Sequence, residues 1–431
     1  GMAVDANVIA FERVKEHLKI GKSLDDAYQI GNQASLTSII DANITTMIVA
    51  VILFIFGESS VKGFATMLII SIIVTVLVMV VIVKFLLDLF VKSGFFDKKL
   101  GLFIGVSKKK IHKAEEIDIP FKKLEFVRTQ KYFLSFTAII IIVGLVLSFT
   151  RGANLGVDFT GGTTITMNIN DKVNMKDVKS EIKNLKYTIK KTEETSNDIT
   201  ITIDEVLDKD SIKELASKLE SEYETDTDIY TVSKIVKQEL TKNAVYSLII
   251  ASIGILIYVA FRFRFNYAVS AIMALVHDVT IIILFFCIFK LEITSIFIAA
   301  ILTIIGYSIN DTIVTFDMIR ENYKKRLEEK QFSRKDVSKK KSSKKSNGVV
   351  TVSLNKEELI GLVNDSVRTT FFRSILTTVT TIFPVICLMV WGAREIFNFN
   401  VALLVGFIAG VYSSIYISKS PFLKNLSMSL K

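Results

Sequence analysis

A pair of apolar segments occurs twice in this chain, and both copies carry charge. Residues 1–16 read GMAVDANVIAFERVKE and residues 306–321 read GYSINDTIVTFDMIRE, so Phe11 aligns with Phe316 and Glu16 with Glu321. A second segment follows each. Residues 38–64, SIIDANITTMIVAVILFIFGESSVKGF, match residues 373–399, RSILTTVTTIFPVICLMVWGAREIFNF, with Thr45 on Thr380, Gly57 on Gly392 and Phe64 on Phe399. Such runs reach the ~20 residues that a helix rising ~1.5 Å per residue needs to cross a ~30 Å hydrocarbon core. Asp5, Asp41, Asp311 and Arg373 nevertheless lie within the matched segments. Related helical bundles with ionisable groups inside them are the pattern of a transporter-like machine.

Whole spans are predicted at about 39–57, 64–91, 132–149, 244–261, 267–289, 292–318, 371–392 and 398–418, and residues 1–11 read as the inner end of a truncated span. A hydrophobic content of 50% and a mean hydropathy of +0.46 fit a membrane protein. Cys287 and Cys387 both fall inside spans and read as small apolar fillers, with no metal-binding spacing. Gly1 is not a start methionine, and the first repeat lacks the apolar run that precedes the second at 292–305. The expectation is therefore that these 431 residues are the C-terminal portion of a longer protein.

Lys and Arg fix the orientation. Connections 12–36, 92–131 and 319–368 are basic, as are the turn at Arg262 and Arg264 and the end at Lys419 and Lys424. Connections 58–63, 290–291 and 393–397 are short and carry few positive charges. Basic loops and the C-terminus are thus expected in the cytoplasm. The long connection 150–243 lies on the other side, and residues 151–241 hold 18 Asp and Glu against 13 Lys and Arg, in a chain whose net charge is +10. The positive charge follows membrane orientation and lipid. It is scattered in loops without interleaved aromatics, which excludes a nucleic-acid partner. Residues 328–353 are rich in Lys and Ser and read as a flexible, solvated insertion.

The outer segment has its own pattern. ITMNI (165–169) alternates as a strand and MKDVKSEIKNL (175–185) has a helical stripe. TIKKTEE and DITITID (188–194 and 198–204) predict a hairpin turning at Ser196 and Asn197. Residues 208–223 predict a helix capped by Asp210, and DIYTVSKIV (228–236) a last strand. The β-α-β-β-α-β order predicts a small ferredoxin-like sandwich. The fold class is therefore a polytopic α-helical membrane protein with an internal repeat plus a small extracytoplasmic α+β domain. Its parts are helices of 1–91, a connector at 92–131, a span at 132–149, the outer domain at 150–243 and a second bundle at 244–431.

A carboxylate in hydrocarbon costs roughly 2.5–3.5 kcal/mol to insert, so each needs a reason. Asp311 lies about nine residues, ~13 Å of helix rise, before Arg320, within its span and nearer the cytoplasmic face. Arg373 begins the 371–392 span at a similar depth. A carboxylate whose distance to a permanent guanidinium changes between two conformations binds a proton differently in each, and protonation then biases the conformation. Asp5, aligned with Asn310, is a second intramembrane carboxylate. Thr377 and Thr380 offer hydroxyls to hold water or to pack helices. His277 and Asp278 lie mid-span and extend a proton path only if both face it, since neighbours on a helix point about 100° apart. Asp41, nearer the inner interface, suits a helix start. In LGVDFTGGTTI (155–165), Gly161 and Gly162 permit positive φ and Asp158 can satisfy backbone donors, so the stretch is a structural junction or a hinge. No hydrolase, metalloprotease, phosphate-loop or kinase-type motif occurs.

These residues also resemble a known family. GMAVDANVIAFERVKE, SIIDANITT and GFATMLIIS resemble the C-terminal membrane half of SecD. GVDFTGGT, ALVHD, GYSINDTIVTFDMIREN, RSILTTVTT and ALLVGFIAGVYSSIYIS resemble SecF nearly end to end. The resemblance implies a SecD-type part fused to SecF within the resistance-nodulation-division superfamily, with the N-terminal SecD portion missing. It implies a non-enzymatic accessory factor of the SecYEG translocon, alongside YajC and YidC, that uses a proton or sodium gradient to pull exported polypeptide after SecA has pushed it. It places the family's intramembrane carboxylates at Asp5 and Asp311 and its arginine at Arg373. Two departures are Arg373-Ser374 where Arg-Thr is common, and the 328–353 insertion. A small-molecule or lipid exporter of the same superfamily is the alternative.

Overall fold

The computed structural model describes residues 2–97, 99–105, 124–170, 173–194, 198–263, 265–340, 354–393 and 396–418. Helix α1 covers Met2–Lys19 and α2 Leu24–Phe56; α3 (Ser59–Leu77) runs through a π-helical stretch, Val78–Val83, into α4 (Lys84–Lys92). A short α5 (Leu100–Phe103) precedes α6 (Phe126–Arg151) and α7 (Val157–Thr160). The outer domain then follows as β1 (Gly162–Asn168), α8 (Met175–Asn184), β2 (Ile189–Glu194), β3 (Asp198–Ile203), α9 (Lys209–Tyr223) and β4 (Thr227–Val232). The chain returns through α10 (Lys234–Arg262), α11 (Phe265–Phe289), α12 (Ser295–Lys340), α13 (Lys356–Trp391) and α14 (Phe397–Tyr416). Among the described residues, eight helices are long and apolar enough to cross a membrane.

Helix α12 is the axis of the bundle. It packs against α2, α10, α11, α13 and α14, and Ile301, Leu302, Ile304, Ile305, Ile309, Ile313 and Phe316 are all buried on it. The peripheral helices α3, α4 and α6 instead leave Ile73, Leu77, Phe85, Phe136, Ile139 and Val143 exposed. In a bilayer those surfaces meet acyl chains. The duplication is visible in the packing: α2 lies against α12 and α1 against α13, so the first helix of each repeat meets the second helix of the other. Phe64 and Phe399, aligned in the sequence, meet edge to face with centroids 5.2 Å apart.

The helices outrun their apolar cores. Ser23 caps α2 by accepting the Asp26 N–H, so that helix starts fifteen residues before the predicted span. Asp41 is therefore deep in a helix, which corrects the helix-start reading. Asn355 and Glu358 form a capping box that starts α13 ahead of the apolar run at 371. Helix α12 continues to Lys340, which corrects the expectation of a flexible insertion for residues 328–340; residues 341–353 lie outside the described residues. Its extension is rich in Lys, Arg and Glu, which favour helix when straight-chained neighbours pair along one face.

The outer domain is a four-stranded antiparallel sheet of order β2-β3-β1-β4 covered by α8 and α9, the ferredoxin-like arrangement. Period-two alternation in β3 turns Ile199, Ile201 and Ile203 inward onto Val178 and Ile182 of α8 and Leu215 and Leu219 of α9. Two boundaries differ from expectation. Asp208, not Asp210, caps α9, accepting the Ser211 N–H at 2.9 Å. The last strand stops at Val232 because Ser233 caps α10. The predicted turn residues Ser196 and Asn197 lie outside the described residues.

Gly161 and Gly162 have φ of +75° and +117°, and a Cβ on Gly162 would collide with the Ile203 carbonyl. Gly162→Ala is expected to cost about 1–3 kcal/mol, the range for a side chain forced into such backbone. The cost will appear as faster amide exchange in β1 and β3 with the bundle unchanged; unaltered exchange in these strands contradicts this account of the glycine.

Candidate functional site

Four polar clusters interrupt the apolar bundle, and α12 contributes to all four. Asp311 is 6% exposed on α12, the helix that packs against α2, α13 and α14. Arg373, on α13, is 5% exposed; among the described residues its Nε and Nη2 find no hydrogen-bond partner. Glu12 of α1 lies within its electrostatic reach. Asp5 is on α1, and its side chain lies outside the described residues. Asn310 and Tyr307 of α12, with Asn43 and Thr46 of α2, line a void of about 10 Å³ between the repeats. Thr377 is buried and donates to the Arg373 and Ser374 carbonyls, while Thr380 donates to the Thr377 carbonyl. Their hydroxyl protons serve their own helix, leaving only lone pairs for water. Pro384 lacks an N–H, so it cannot bond the Thr380 carbonyl one turn back.

His277 and Asp278 do converge. His277 Nδ1 and Asp278 Oδ1 are 2.9 Å apart, and Asp278 Oδ2 accepts from Ser308 Oγ of α12 at 2.6 Å and Ser413 Oγ of α14 at 2.8 Å. Asp278 is 1% exposed, so three helices close over one fully hydrogen-bonded carboxyl group. Ser308 precedes Asp311 by three residues, placing this cluster about one helical turn from it. Neither serine carried a signal in the sequence beyond being small and intramembrane.

A third cluster joins α2, α10 and α12. Asp41 accepts from Tyr258 at 2.8 Å and from Arg262 Nε at 2.7 Å, and Arg262 Nη2 stands 4.0 Å from Asp317. Sequence reading treated Arg262 only as an orientation mark and overlooked Asp317. The signal was present: Asp317 aligns with Glu12, an acid repeated at the equivalent position near the inner end of each repeat.

The fourth cluster lies at the outer junction. Asp158, 4% exposed on α7, accepts from both the N–H and the hydroxyl of Ser295, at 2.7 and 2.6 Å. Ser295 is the first residue of α12, so Asp158 caps the helix that carries Asp311 and complements its positive end. Its other oxygen accepts from Tyr230 of β4 at 3.1 Å. Burial, then the Asp158 carboxylate, push the Tyr230 phenol above its ordinary pKa, so it remains a donor at neutral pH. Backbone bonds Gly156 N–H to Ile293 and Ile293 N–H to Asn154, at 2.9 and 2.8 Å, stitch the same two segments. The junction is therefore clamped, with Gly161 and Gly162 turning the chain into β1 just beyond it.

Comparison with known proteins agrees with this arrangement. The model for the C-terminal part of protein export membrane proteins SecD and SecF matches residues 1–93, 211–354 and 349–428, and that for the SecD/SecF GG motif matches 146–172. The protein translocase subunit SecDF of Bacillus subtilis is 43% identical over 97% of this chain and 54% of its own length. The protein translocase subunit SecF of Sebaldella termitidis is 34% identical over 68% of this chain and 89% of its own length. A crystal structure of SecDF from Thermus thermophilus, described as a translocon-associated membrane protein, superimposes with a TM-score of 0.78 at 29% identity, covering 100% of this chain and 53% of that one. The chain thus spans about half the length of the SecDF relatives it matches. With a duplicated bundle, a ferredoxin-like outer domain and a GG junction in common order, it belongs to the SecD/SecF family of protein export membrane proteins.

Proposed function

We propose that this chain is the ion-driven membrane part of an accessory subunit of the Sec translocase, converting a proton or sodium gradient into late steps of polypeptide export. It sits in the bacterial cytoplasmic membrane with the basic loops inside and the α+β domain outside. Its partners are SecYEG, preproteins pushed by SecA, and YajC and YidC. Asp311, Asp5 and Arg373 form the ion relay, with His277 and Asp278 beside it.

The observation that carries this reading is the cap between Asp158 and Ser295. Ser295 and Asp311 are sixteen residues apart on one helix, about 24 Å of rise. A helix cannot shift at Asp311 without moving its end, and that end is held by the outer domain. Each elementary charge crossing 100 mV supplies about 2.3 kcal/mol, enough to bias such a shift. The test is translocation of a preprotein into vesicles containing SecYEG, SecA and the full-length protein. Stimulation by the protein is expected to vanish when an ionophore collapses the gradient; stimulation that survives contradicts the reading.

A further inference from the structure

The cluster of Asp41, Arg262 and Asp317 has a charge balance the relay does not use. Two carboxylates face one guanidinium. Asp41 is 5% exposed and fully engaged, with Arg262 at 2.7 Å and Tyr258 at 2.8 Å. Asp317 is held far more loosely, by Ser38 Oγ at 3.4 Å and Arg262 at 4.0 Å. The charged groups acting on Asp317 are Arg262 of α10, Asp41 of α2, Arg320 on its own helix and Arg13 of α1. The last two cations act on it from farther off and form no ion pair with it among the described residues. Arg13 is paired with Glu16 at 3.2 Å and Glu321 at 2.8 Å, and Arg320 points into solvent. Asp41 is buried and Asp317 half-buried, so two ionised carboxylates beside one guanidinium leave a surplus negative charge where little water reaches it, a costly arrangement.

The duplication shows where a second cation is missing. Asp317 occupies the position of Glu12, and Ser38 the position of Arg373. On one side, Glu12 of α1 lies within the electrostatic reach of Arg373 of α13; on the other, Asp317 of α12 accepts from Ser38 of α2 at 3.4 Å. The two positions lie on the same crossed pairs of helices, α1 with α13 and α12 with α2, but serine replaces the guanidinium, and Arg262 is shared with Asp41.

We propose that Asp41, Arg262 and Asp317 form a second proton-binding site beside the relay, with Asp317 and Ser38 at the repeat positions of Glu12 and Arg373, in which Asp317 holds the proton. In the arrangement seen here Asp317 is a neutral acid. When α12 moves away from α2 and α10, the O–H bond of Asp317 breaks, the proton passes to water at the basic end of the bundle, and the carboxylate is left hydrated. Because α12 also carries Asp311, the two sites load and empty on one moving helix. This deepens the ion-driven reading but rests on different side chains.

The test is infrared spectroscopy of the reconstituted protein at neutral pH, in an Asp311→Asn background so that loss of the relay carboxylate cannot mask the result. Asp317→Asn is expected to remove one protonated-carboxyl C=O band. Arg262→Gln, which removes the cation shared by Asp41 and Asp317, is expected to add one as Asp41 also takes up a proton. An unchanged band in Asp317→Asn, or no gain in Arg262→Gln, overturns the proposal.

Discussion

Asp311→Asn is expected to abolish gradient-dependent ion flux and stimulated export together, while the protein still inserts and folds. Asparagine has the shape of a protonated aspartate and cannot release a proton, so the helix keeps its packing but stays in one charge state. Removing a buried carboxyl group lifts a desolvation cost, so stability will not fall. The drive lost is about 2.3 kcal/mol per charge per 100 mV, or about fifty-fold at the driven step. Ion uptake into proteoliposomes and preprotein translocation measure the two effects. Normal stimulation by this variant would refute the relay.

Asp158→Ala should produce the opposite phenotype, an uncoupled protein. Losing a helix cap costs about 0.5–2 kcal/mol, too little to unfold a bundle of eight spans. The variant frees Tyr230 and the first turn of α12 from each other, so α12 can still move as Asp311 changes charge while the outer domain, tied to it by the backbone bonds of Asn154, Gly156 and Ile293, follows less closely. Ion flux is therefore expected to persist and export stimulation to fall by roughly tenfold or more, the effect of ~1.4 kcal/mol at the coupled step. Tyr230→Phe, which breaks only the outer-domain side of the clamp, should show part of the loss. If flux and export fall in equal proportion, Asp158 is a structural support and not a coupling residue.

Much of this architecture could be read from the residues because lipid and the ferredoxin-like sandwich both impose strong periodicities. The repeat, the eight spans, the strand order and the role of Gly161 and Gly162 each follow from local pattern. Helix ends were harder to see, since apolarity marks the bilayer and not the helix: α2 begins at Ser23 and α12 runs to Lys340 through residues too polar to count as a span. The site was half legible. A lone carboxylate among isoleucines, such as Asp311, stands out, and so does a His–Asp neighbour pair. What pairs with it does not, because the partners come from other helices: Ser308 and Ser413 for Asp278, and Arg262 and Tyr258 for Asp41. Adjacent side chains on a helix diverge, yet His277 and Asp278 meet, with the imidazole stacked against Tyr412. Asp158 was recognised as a backbone acceptor, but its donor, Ser295, lies far along the chain.

The central claim is that charge at Asp311 moves the outer domain through α12. Its most direct measurement is single-molecule energy transfer between a dye on α9 and a dye at the basic end of α10, in liposomes before and after a gradient is imposed. The account predicts a gradient-dependent shift in that distance in the unmodified protein and none in Asp311→Asn. A distance that never shifts, or one that shifts equally without the carboxylate, would contradict it.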